Sequence, residues 1–174
     1  MIYPEYYLPH YGANAENQPM YGVGNTAWHS PILIHVSSGP EQKGKYFSSL
    51  ISAATWQRNG VQVTMFFNGE GVNGLVKGRL IQMTGSPYAE QTITQQLGME
   101  IPQFLHGDNP KNILEWALTF VRHGGRITYC GTTNTWEGNA KEWADRTNME
   151  SFATPLNINQ VLTLLSGEMK YIAF

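Results

Sequence analysis

The sequence predicts an α/β fold on a mainly parallel five-stranded sheet, and three observations point to it. Short runs rich in branched apolar residues alternate with stretches of helical period, the rhythm of strand–helix–strand units. The first run, 31–36, is nearly continuously apolar, as in a parallel strand covered on both faces. Glycine, proline and asparagine cluster at the joints between runs and helices, where turn chemistry belongs.

The elements follow in order. Pro31-Ile32-Leu33-Ile34-His35-Val36 reads as the first strand, with His35 a hydrogen-bonded imidazole within it. Ser37-Ser38-Gly39 turns the chain, and Pro40 and Glu41 suit a first helical turn. Phe47, Leu50, Ile51 and Ala54 recur at helical spacing until Asn59-Gly60. The second strand is 61–67, closed by Asn68-Gly69-Glu70-Gly71. Residues 71–108 read as a long polar segment with short helix inside it, of the kind that carries function or an interface. Asp108 or Asn109 caps the next helix and Pro110 opens it. Ile113, Leu114, Ala117, Leu118 and Val121 form its apolar face, His123 lies in its last turn, and Gly124-Gly125 stops it. The third strand is 126–130. A helix from Trp136 to Arg146, a fourth strand at 151–155, a helix through Ile158, Val161, Leu162 and Leu165, and a strand at 170–174 complete the pattern. Right-handed crossovers leave few topologies. The expected sheet has the first strand near its centre, flanked by the second and third, which sets Ser37-Ser38-Gly39 beside Cys130 at a topological switch point.

Residues 1–30 stand apart as an aromatic arm. They hold Tyr3, Tyr6, Tyr7, Tyr11 and Tyr21 among prolines and glycines, with no strand or helix period. Tyrosines are costly to leave in water, so an arm packed on a surface, such as a neighbouring subunit, is expected. Charged residues are only 14% of the chain, against roughly 25% for typical globular domains. Surface hidden in a homo-oligomer accounts for that deficit. The net charge of -2 and the lack of a basic stripe argue against nucleic acid. No apolar run approaches the roughly 20 residues that span a bilayer, and no secretory signal is visible at the N-terminus. A single cysteine makes no intrachain disulfide and suits a reducing compartment, so the expected location is cytoplasmic.

Most cofactor motifs are absent. There is no GxGxxG, no P-loop, no CxxC and no GxSxG nucleophile elbow. Gly69 to Gly74 is glycine-rich with the spacing of a flexible turn. The histidines form no HxxxH or HExxH pair, so no metal site and no cofactor are expected. What remains is Cys130. It closes the third strand, and the polar stretch Gly131-Thr132-Thr133-Asn134 follows. Chemistry in open α/β sheets gathers at the carboxyl ends of strands, and nearby helix N-termini favour a thiolate. A buried structural thiol is the alternative, because free cysteine packs as a small hydrophobe. His106, just ahead of a helix, becomes a base or ion-pair partner for the thiol if its loop folds over the strand ends. Trp136 follows the thiol and is placed to line its pocket.

Taken together, 32–40, the strand 61–67 with Asn68-Gly69-Glu70-Gly71-Val72, the helix ending Gly124-Gly125, the strand ending in Cys130, and the closing 170–174 resemble the DsrE/DsrF-like proteins. The resemblance covers 31–174 as one domain. It implies a flavodoxin-like three-layer sandwich and a homo-oligomer, trimer or hexamer. In the sulfur-relay members, the TusD-like proteins among them, the cysteine matching Cys130 accepts sulfane sulfur as a persulfide. Other members are described only as peroxiredoxin-like. The arm and the long 71–108 segment depart from the small relay members.

The expected function is therefore that of a sulfur-relay or sulfurtransferase-like protein. Cys130 would exchange sulfur with donor and acceptor proteins or small sulfane-sulfur compounds. His106 would assist it, and Ser37, Ser38, Gly39, Asn68, Gly131, Thr132, Thr133 and Trp136 would hold the substrate. The rivals are a non-catalytic oligomeric binding module of the same fold and a peroxiredoxin-like thiol protein. The PxxxTxxC pattern of peroxiredoxins is missing around Cys130.

Overall fold

The computed structural model describes residues 30–84 and 110–174. The aromatic arm, most of the 71–108 segment and His106 lie outside the described residues.

Five strands form one parallel sheet: β1 (Ile32–Val36), β2 (Val63–Phe67), β3 (Arg126–Cys130), β4 (Ala153–Leu156) and β5 (Lys170–Ala173). Their order is β4-β3-β2-β1-β5, and every pairing is parallel. The α/β class and the parallel sheet follow the sequence reading, but the neighbours differ. β1 lies between β2 and β5, and β3 pairs with β2, so the first and third strands are not adjacent. The physical reason is burial. β2 buries all five of its residues and so takes the interior place. β5, with only Ile172 even partly covered, falls at an edge. Successive crossovers step one way from β1 to β4, and only β5 doubles back.

Helices cover both faces. On one side lie α1 (Lys43–Arg58) and α3 (Ile113–Arg122), which pack on each other and on the sheet. Trp116, Tyr46, Tyr129, Phe67 and Phe120 are fully buried there, each contributing about 1.5–3 kcal/mol by leaving water. Phe47 meets Trp116 edge-on at 6.2 Å, a favoured aromatic geometry. On the other side lies α5 (Ile158–Leu165). It covers a smaller cluster of Leu33, Phe66, Cys130, Leu156 and Val161.

Local chemistry moves several boundaries. α1 begins at Lys43, after Pro40 and Glu41, with Gln42 as its cap. α3 is capped by Asn112, whose side chain accepts the Glu115 N–H at 2.9 Å, not by Asp108 or Asn109. Beyond β2 the chain makes a 3-10 helix, Gly69–Leu75, then the short α2 (Arg79–Gln82), in line with the short helix expected there. The largest correction concerns the helix after β3. It is α4, Gly131–Trp136, rather than Trp136 to Arg146. Cys130 itself caps α4, and Gly138, at φ 79°, takes the left-handed turn that ends it. The polar stretch after Cys130 is thus the helix, and Trp136 ends it rather than beginning one.

Candidate functional site

The site grows from the carboxyl ends of β1, β2 and β3. Side chains alternate along strands, and the register pairs Val36 with Phe67 and Phe67 with Tyr129. Extending it by one residue sets Ser37, Asn68 and Cys130 in one row. Ser37 and Cys130 are therefore separated by β2, about 10 Å at the usual strand spacing. Asn68 stands between them.

Cys130 is the last residue of β3 and the N-cap of α4. Its Sγ accepts the Thr133 N–H at 3.4 Å, satisfying one of the donors that a helix start leaves free. A charge on sulfur there would meet an N–H already aimed at it. The thiol is 5% exposed and packed among Leu33, Phe66, Leu156 and Val161. Its cross-strand neighbour is Leu156.

Several bonds hold the cap in place. The Thr133 hydroxyl donates to Asn68 Oδ1 at 2.7 Å, joining α4 to the end of β2. Asn73 donates to Glu137 at 2.8 Å, and Asn139 donates back to Asn73 at 2.7 Å, tying the 3-10 helix to the end of α4. Gly131 has no room for a side chain: an added Cβ would lie 2.2 Å from the Trp143 carbonyl oxygen. The backbone near Trp143 thus closes over the first turn of α4.

Of the residues singled out from sequence, the structure brings Cys130, Gly131, Thr133 and Asn68 together. Thr132 faces solvent beside them. Ser37 is exposed, whereas Ser38 and Gly39 are buried at the start of the β1–α1 turn, one strand further away than expected. Trp136 does not line the thiol pocket. It is 87% exposed. His106 and its approach to the thiol lie outside the described residues.

One feature escaped the sequence reading. Asn134 is fully buried, and neither of its amide atoms is hydrogen-bonded among the described residues. No sequence signal marked it, because the weak helix formers around it hide the helix that buries it. His35, expected from sequence to be a hydrogen-bonded imidazole in the first strand, is one, and it lies on the same sheet face as Cys130. It stacks on Phe66 at 5.4 Å, and its Nδ1 is hydrogen-bonded to the Tyr171 hydroxyl. Burial pushes its pKa below the ordinary histidine value, which keeps the ring neutral. No helix among the described residues is long and apolar enough to cross a membrane.

Comparison with protein-family models and with curated sequences gives no match. Among solved structures, the chain is similar to the YchN protein of E. coli, with a TM-score of 0.55 at 14% identity. The likeness covers 83% of this chain and 99% of YchN. At that identity it speaks to architecture alone: the chain has a flavodoxin-like α/β fold.

Proposed function

We propose that Cys130 carries sulfane sulfur as a persulfide, in a cytoplasmic homo-oligomer that passes sulfur between a donor and an acceptor. The observation that carries this reading is the place of the thiol. It caps a helix at the carboxyl edge of a parallel sheet, with the Thr133 N–H on its sulfur. In the step proposed, the Cys130 thiolate attacks the outer sulfur of a donor persulfide. A new S–S bond forms at Cys130, the donor S–S bond breaks, and the donor leaves as a thiolate that takes up a proton. An acceptor thiolate reverses the exchange, so no external oxidant or reductant is consumed. Asn68 and Thr133 act here as positioning residues that fix the cap.

Assembly through α5 belongs to the same proposal. Ile158, Leu162 and Leu165 are 55%, 59% and 45% exposed and recur along one side of the helix. No charged residue occurs from Ser151 to Gly167, so a second copy meets this stripe without charge repulsion.

One observation favours a second reading, a non-catalytic module in which Cys130 is packing. The thiol sits almost wholly inside an apolar cluster. Alkylation separates the two. The carrier reading expects native protein to react with iodoacetamide at a rate approaching that of unfolded chain. Protection by orders of magnitude in the native state means a packing thiol.

A further inference from the structure

The face of the sheet beneath α5 holds a cavity of about 390 Å³, within the usual range of small-molecule sites. It stands apart from the capping bonds around Cys130 and plays no part in the chemistry above. Its polar lining is one cation among neutral groups, with Thr128, Asn159 and Thr163 also facing it. Arg126 and Thr64, direct cross-strand partners, supply a guanidinium and a hydroxyl from the sheet. Asn157 and Gln160 supply amides from the start of α5.

The orientation of those two amides is fixed. They form a capping box: Asn157 Oδ1 accepts the Gln160 N–H at 3.0 Å, and Gln160 Oε1 accepts the Asn157 N–H at 2.9 Å. A backbone N–H requires an oxygen, so both oxygens are engaged and both NH₂ groups remain as donors. No carboxylate among the described residues lines the cavity. A guanidinium and two amide donors without a counter-charge select an anion. A single Arg, with no second cation among the described residues, matches a planar monoanion through its two parallel N–H bonds better than it matches a dianion. Leu156 and Leu164 are the apolar part of the wall and give the ligand an apolar surface to rest on.

We infer that the Arg126 cavity binds a small organic carboxylate with an apolar body, its carboxylate on the Arg126 guanidinium and its body against Leu156 and Leu164.

The test is titration of the full chain with sodium benzoate, followed by amide NMR shifts. Benzamide, uncharged and of the same shape, and inorganic phosphate serve as comparison probes. The expected result is saturable shifts on α5 and the β2–β3 face with benzoate, weaker or no binding of benzamide, and at least a tenfold loss of benzoate affinity in Arg126→Gln. Arg126→Lys keeps the charge without the fork and is expected to fall between the two. Arg126 is only partly buried, so both variants are expected to fold, and their amide spectra report it. If Arg126→Gln does not fold, Arg126→Lys alone carries the test. Absence of saturation, equal binding of benzamide, undiminished affinity in the variants, or phosphate binding tighter than benzoate would each overturn the assignment.

Discussion

The Thr133 hydroxyl donates to the side-chain oxygen of Asn68 at 2.7 Å. That bond fastens the first turn of α4 to the end of β2. Because Thr133 also gives its backbone N–H to Cys130 Sγ, one residue couples the thiol to the neighbouring strand. Thr133→Val keeps the shape and removes the hydroxyl. The expected cost is about 1 kcal/mol from urea unfolding, with a changed rate of Cys130 alkylation because the cap loosens. An unchanged rate would mean that the bond to Asn68 does not position the sulfur.

Gly131 and Gly44 make a matched pair. A Cβ at Gly131 would lie 2.2 Å from the Trp143 carbonyl oxygen, whereas one at Gly44, in α1, would meet nothing within 4 Å. Gly131→Ala is expected to destabilise by about 1–3 kcal/mol, since backbone must shift to admit the methyl. Gly44→Ala is expected to stabilise by about 0.5–1 kcal/mol through helix propensity. Urea midpoints of the two variants check both signs.

How far the site was legible in the sequence can be seen in these residues. The strand ending in Cys130 was readable because 126–130 has a short β-type pattern directly after Gly124-Gly125. That Cys130 caps a helix was not. Thr132, Thr133 and Asn134 are weak helix formers, and the helix exists because its ends are held by tertiary bonds to Asn68 and Asn73. The strand order was hidden for a related reason. Period and composition identify parallel strands, but neighbours are chosen by burial of whole faces. The largely apolar Val63-Thr64-Met65-Phe66-Phe67 of β2 against the mixed Lys170-Tyr171-Ile172-Ala173 of β5 held the clue to centre and edge.

His35 predicts a pH dependence. Burial lowers its folded-state pKa below 6.5, so the unfolded chain takes up a proton more readily than the folded one. Stability is full above about pH 6.5 and falls as pH drops through that value toward the lower folded pKa. The expected result is a smaller loss of stability between pH 7.5 and pH 5.5 (about those values, chosen to bracket the histidine range) in His35→Phe than in the parent. Asp145, held near 2 by the Thr147 and Lys141 N–H groups, loses its contribution only in stronger acid. Equal losses in parent and variant would contradict the assignment to His35.

Leu162→Glu tests assembly. Leu162 is 59% exposed, so a glutamate costs the folded chain little, while two copies meeting along α5 would bury like charges. Light scattering is expected to report an oligomer for the parent and one chain mass for the variant. A monomeric parent would remove the proposal of self-association altogether.

The most direct test of the central claim is intact mass after incubation with a sulfane-sulfur donor such as a low-molecular-weight persulfide. The account predicts one added sulfur atom on the native chain, its removal by an acceptor thiol, and no addition to Cys130→Ser. An unmodified native chain, with sulfur added only once the protein is unfolded, would contradict it and leave Cys130 as a packing residue beneath α5.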